Sequence, residues 1–201
     1  HIVSRRQRQM CIRDSLSGIK TIFKTKNPVI IFPASGTGAW EAALVNTLND
    51  GDNVLMVETG HFASLWNNMA QKLGLQVELL KTDWRQGLDP NEIEKRLRLD
   101  ADKKIKAVCI VHNETSTGCT ANVKAVRGIL DDLNHDALLM VDTISGLASI
   151  NYEHDEWGVD ITISGSQKGL MLPPGLSFNA ISEKAIDISK KSTLRKSYWD
   201  W

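Results

Sequence analysis

Residues 29–58 read VIIFPASGTGAWEAALVNTLNDGDNVLMVE. The two ends, VIIFP (29–33) and NVLMVE (53–58), are short apolar runs with the look of buried strands. Between them, SGTG opens a segment in which Ala39, Ala42, Ala43 and Leu44 fall at helical spacing, and NDGD closes it. Strand, helix, strand is therefore the unit from which the rest of the chain is read.

The same alternation continues outward. HFASLWNNMAQKLG reads as a helix stopped by Gly74, and LQVELLKT as a strand. DPNEIEKRLR is a helix with Asp89 as N-cap and Pro90 in its first turn. IKAVCIVH (105–112), ALLMVD (137–142), DITISG (160–165) and LSFNAIS (176–182) read as strands. NVKAVRGILDDLN and EKAIDISKKS read as helices. Strands separated by helices predict an α/β fold, a mostly parallel central sheet with helices on both faces. Ligands of such sheets sit beyond the carboxyl ends of the strands. Residues 1–15, HIVSRRQRQMCIRDS, are basic and polar, without the apolar core of a secretory signal. They are set apart as a disordered or extraneous extension, with one large domain over 16–201.

Composition removes several function classes. The chain has 201 residues, with Lys+Arg and Asp+Glu equal at 24 each, so no basic field favours nucleic acid or an anionic membrane. No apolar run approaches the roughly 18 residues of a membrane span. Cys11, Cys109 and Cys119 form no CxxC pair and no metal-ligand spacing, which suits a reducing, cytoplasmic compartment.

Chemistry-capable residues follow the strands. Ser35, Gly36 and Thr37 form a glycine-rich turn opening a helix, able to hold a phosphate or to serve as an ordinary turn; no GK[ST] follows, so it is no P-loop. Phe62 follows the strand 53–58, as a core aromatic or a stacking face. Asp142 ends an apolar strand, as a cap or as the partner of a cationic ring nitrogen. Lys168, in ISGSQKGLMLPPG (163–175), stands among apolar residues. Partial desolvation there would favour its neutral, nucleophilic amine, and a solvated surface lysine is the alternative. His61 and His112 read as structural, with no third metal ligand at suitable spacing. One molecule accounts for a phosphate cradle, a stacking face, a carboxylate and a lysine in this order: pyridoxal 5′-phosphate.

The stretches SGTGAWEAALVNTL, GHFASLW, IVHNETSTG, LLMVDTISGLAS, DEWGVDITISGSQKGLMLPPGLSF and YWDW resemble the class V pyridoxal-phosphate aminotransferases, in the serine–glyoxylate and alanine–glyoxylate group. The resemblance runs from about Leu16 to Trp201. It implies the large domain of a fold type I transferase. It implies that Lys168 holds the cofactor's aldehyde and shuttles the α-proton, and that Asp142 pairs with the pyridine nitrogen. It also implies that Phe62 and Ile144 flank the ring, that Ser35, Gly36, Thr37 and Gln167 hold the phosphate, and that Thr115 reaches the cofactor's 3-oxygen side or Asp142.

The implied reaction moves an amino group from serine to glyoxylate, with small amino and 2-oxo acids as substrates and a homodimer or higher homo-oligomer as the parent assembly. Alanine or ureidoglycine as donor is the near alternative. A peroxisomal address, in a eukaryote, would lie in later sequence. The family's carboxylate-binding arginine belongs to a small C-terminal domain expected after Trp201, so residues 1–201 alone are expected to lack turnover. A cysteine desulfurase would need a late catalytic cysteine, which neither Cys109 nor Cys119 supplies. A non-catalytic phosphate-binding module would need no lysine. A dinucleotide fold is disfavoured because no GxGxxG opens the first helix.

Overall fold

A computed structural model describes residues 5–201; residues 1–4 of the segment set apart above lie outside the described residues. In chain order the elements are α1 (Arg5–Phe23), β1 (Val29–Phe32), α2 (Gly36–Thr47), β2 (Asn53–Glu58), α3 (His61–Lys72), β3 (Gln76–Lys81) and α4 (Pro90–Leu99). Then follow β4 (Ile105–Val111), α5 (Val123–Asp132), β5 (Leu138–Asp142), β6 (Ile161–Gly165), β7 (Ser177–Ile181) and α6 (Glu183–Ser189). Helix α1 runs unbroken across the 15/16 boundary drawn from composition.

The seven strands form one sheet in the order β1-β7-β6-β5-β4-β2-β3. The pairings β2–β3, β2–β4, β4–β5 and β5–β6 are parallel, whereas β7 runs antiparallel to both β6 and β1. The sheet is thus mostly parallel, with one reversed strand.

Both faces are covered, which explains why the central strands read as continuous apolar runs. In β4 and β5, Val108, Ile110, Leu139 and Val141 face a core shared with Ile93 and Leu97 of α4 and Val126 and Leu130 of α5. Their neighbours Ala107, Cys109, Leu138 and Met140 face the opposite core, with Trp40 and Leu44 of α2 and Trp66 and Ala70 of α3. The period of two along each strand sends successive side chains to opposite cores.

Local signals set the helix ends. The Asp89 carboxylate accepts from Asn91 N at 3.0 Å, with Pro90 in the first turn. Asn122 caps α5 by accepting from Ala125 N at 3.1 Å. Gly74, just beyond α3, takes φ +85°, where a β-carbon would be strained.

Helix α2 lies close on β6 and β7 because small or polar residues stand beneath it. Asn179 donates from Nδ2 to Ala39 O at 3.1 Å. A β-carbon built on Gly165 would lie 3.6 Å from Gly36 N. This close approach brings the N-terminus of α2 over the end of β6. The C-terminal residues fold back on α2 and the segment before it: Tyr198 Oη donates to Pro33 O at 3.1 Å, and Asn46 Nδ2 donates to Trp199 O at 2.6 Å.

Candidate active site

The carboxyl ends of β1, β2, β4, β5 and β6 open on one cavity of about 180 Å³. Ser35, Gly36, Thr37, Phe62, Thr115, Asp142, Ile144, Gln167 and Lys168 all line it, together with Trp40, Asn113 and Ser145. Residues spread over more than a hundred positions of sequence meet there because each follows a strand of the same sheet.

The turn after β1 leads into α2 through Ser35, whose backbone is extended (φ −86°, ψ 172°) and whose side chain makes no cap hydrogen bond. Gly38 N and Ala39 N donate back to Ser35 O. The amides of Gly36 and Thr37 precede any intrahelical acceptor and face outward at the positive end of the helix. A β-carbon on Gly36 would crowd the Ile144 side chain, whose end would have to shift to make room.

Asp142 closes β5 and is 3% exposed. Its Oδ2 accepts from Trp40 Nε1 at 2.9 Å and its Oδ1 from Ile144 N at 2.7 Å. Burial pushes its carboxyl up to about 7, only partly offset by these two donors. Trp40 is itself fixed by stacking on Trp66, with ring centroids 5.9 Å apart. His112, just after β4, is buried against Tyr152 and Trp157, and desolvation lowers its imidazole to about 4.

The protein-family model described as Aminotransferase class-V matches residues 7–193. The chain belongs to the class V aminotransferases. It is 47% identical over 187 residues to the serine–glyoxylate aminotransferase of Methylorubrum extorquens, covering 90% of this chain and 46% of that protein. It is 42% identical over 190 residues to the L-aspartate–glyoxylate aminotransferase of Paracoccus denitrificans, covering 94% and 48%. The crystal structure of alanine–glyoxylate aminotransferase from Nostoc sp. superposes with a TM-score of 0.87 at 29% identity, covering 95% of this chain and 50% of that one. The chain spans about half the length of the curated relatives it matches.

Class V membership implies pyridoxal 5′-phosphate, and the cavity's donor set fits that cofactor. The N-terminus of α2 offers unpaired amides and a free serine hydroxyl to an anion. Among the described residues no cation offsets the desolvation of the buried Asp142 carboxylate. Among them, too, the buried Gln167 amide oxygen at the edge of the same cavity has no hydrogen-bond partner.

One expectation for this class V aminotransferase needs correction. Lys168 is exposed, not partly desolvated. The apolar residues beside it do not wrap it: Met171 is 90% exposed and Leu172 50% exposed. The turn after β6 leaves the sheet, so Met171 and Leu172 lie outside both cores, whereas Leu170 still packs against the one that holds Val108 and Leu139. Asp142 takes its hydrogen bonds from Trp40 and Ile144 rather than from Thr115.

The sequence marks 112–115 as a chemistry-capable stretch after a strand but gives Asn113 and Glu114 no role, and it does not single out Trp40 or Ser145. Trp40 was within reach, because four residues after Gly36 a helix returns to the same face. Asn113 and Ser145 are tied across two strand ends, Ser145 Oγ donating to Asn113 O at 2.5 Å and accepting from Asn113 Nδ2 at 3.2 Å. No local pattern announces such a pairing.

Proposed function

We propose that this chain is the cofactor-binding part of an aminotransferase that moves an amino group from serine to glyoxylate, giving hydroxypyruvate and glycine. The observation that carries the reading is the meeting of Lys168, the buried Asp142 and the open N-terminus of α2 around one cavity. The similarity to serine–glyoxylate aminotransferases supports serine as donor.

Ser35, Gly36 and Thr37 would hold the cofactor's phosphate with help from the Gln167 amide. Phe62 and Ile144 would flank its ring and keep water from both faces. Asp142 would face the ring nitrogen, its negative charge holding a proton there. Bound in this way, the cofactor supplies an electron sink for charge developing at the substrate's α-carbon. Lys168 Nζ would hold the cofactor's aldehyde and, when not so engaged, would accept the α-proton and return it, one group serving as both base and acid. Thr115 and Asn113 border the cavity and orient polar groups of the bound molecules.

The test is made on the full-length protein. Added pyridoxal 5′-phosphate should produce a visible absorbance band, and borohydride should fix the cofactor on the peptide carrying Lys168. A panel of amino donors with glyoxylate should favour serine and give parallel initial-rate plots, the pattern of a ping-pong sequence. Preference for aspartate or alanine would reassign the donor. Reversible binding with no attachment to Lys168 would instead support a non-catalytic phosphate-ligand module.

A further inference from the structure

Two helices point their N-termini toward the cleft, and the protein treats them differently. At α2 the Ser35 side chain makes no cap hydrogen bond. At α3 the first three amides are all engaged by side chains from the loop after β4. His61 N donates to Ser116 Oγ at 2.9 Å, Phe62 N to Glu114 Oε1 at 3.4 Å, and Ala63 N to Glu114 Oε2 at 3.1 Å. Ser116 in turn donates to Glu114 Oε1 from its amide at 3.0 Å and from its hydroxyl at 2.8 Å. Glu114 is 0% exposed. Gly60 leaves it room, since a β-carbon there would meet Glu114 Cγ at 2.4 Å and Ser116 Oγ at 2.5 Å.

A carboxylate buried this fully needs compensating donors, and the positive end of a helix supplies them. The same bonds fix the backbone that carries Phe62. We propose that Glu114 is a positioning residue for the cofactor site, an anion built into the protein that locks the first turn of α3 and so holds the Phe62 ring in place at the cavity. A consequence is that the two helix ends are sorted: that of α3 is closed by Glu114, and that of α2 stays open for the phosphate. The inference rests on the cleft being the cofactor site, as proposed above.

The test uses the full-length protein with Glu114→Gln, Ser116→Ala, Phe62→Leu and the combination of Glu114→Gln with Phe62→Leu. Amide exchange at residues 61–63 is followed without cofactor. Dissociation of pyridoxal 5′-phosphate and its visible circular dichroism are followed with it. Glu114→Gln should speed exchange, weaken cofactor binding roughly tenfold, as loss of a buried charged hydrogen bond implies, and diminish the dichroic band. Phe62→Leu should also weaken binding, and adding Glu114→Gln to it should weaken binding little further, because the ring through which Glu114 acts is gone. Ser116→Ala keeps the buried charge and should act in the same direction more mildly; it replaces Glu114→Gln in the cycle if that variant does not fold. A cap that serves the fold alone would lower the melting temperature and leave affinity and dichroism unchanged, and that result overturns the inference. So do additive losses in the double variant. A wild-type protein that takes up no cofactor overturns the functional reading, and this inference with it.

Discussion

Asp142 and Lys168 bring one buried and one exposed titratable group to the same cavity, and the roles proposed for them can be tested separately. In the full-length protein, Lys168→Ala should lose borohydride-fixed cofactor and turnover together. Asp142→Asn should retain the cofactor and transaminate poorly, which single-turnover absorbance changes would reveal; a fully active variant would remove the electron-sink role. Asp142 also makes a prediction about pH. Its folded value, about 7, lies above the unfolded 3.8, so the protein without cofactor is most stable with this group protonated. That contribution is complete below about pH 4 and is lost as pH rises through about 7, of order a few kcal/mol. Asp142→Asn lacks it, so denaturant melts should show the variant gaining on wild type between those limits; a constant difference would contradict the assignment. The placement of these residues at strand ends was legible because each closes or follows an apolar run. The exposure of Lys168 was not, since the outward turn of Met171 and Leu172 depends on where the chain goes after β6.

Among the elements, α2 carries the tightest constraint. Gly36→Ala would force its new methyl against Ile144 Cδ1, 2.2 Å away, at an expected cost of about 1–3 kcal/mol. Adding Ile144→Ala should restore much of the stability, because it removes the opposing atoms, but not the cofactor affinity, because it also removes one wall of the cavity. Thermal melts and cofactor titration separate the two effects. The start of α4 was readable from local chemistry: Asp89, read as its cap, accepts from the amide two residues on. The cap of α3 was not, because Glu114 stands 51 positions from Ala63. The direction of β7 was equally hidden. Side-chain alternation in SFNAI is the same whichever way a strand runs.

At the scale of the whole molecule, Asp160 ties the sheet together at the amino ends of its parallel strands. Its Oδ2 accepts from Leu139 N at 2.9 Å and its Oδ1 from Ser182 Oγ at 3.0 Å, joining β5 to the start of α6. Asp160→Ala should strand a buried amide and cost about 1–3 kcal/mol, read as a fall of several degrees in melting temperature. It should leave the cofactor's absorbance band unchanged, because the site lies at the opposite ends of the strands. Among the described residues no helix is long and apolar enough to cross a membrane. The mostly parallel architecture was legible from alternating runs; the order of the strands was not, because it is settled by pairings distant in sequence. The most distant is β1 with β7, where Val29 stands opposite Ala180, about 150 residues later. During synthesis β1 leaves the ribosome long before β7, its one sheet neighbour among the described residues, exists. At ~5–20 residues per second, that edge and the Ser35–Thr37 turn behind it wait roughly 7–30 s for the strand that completes them. A nascent chain halted before Ser177 should therefore bury its central strands, yet leave Ser35–Thr37 open to proteases.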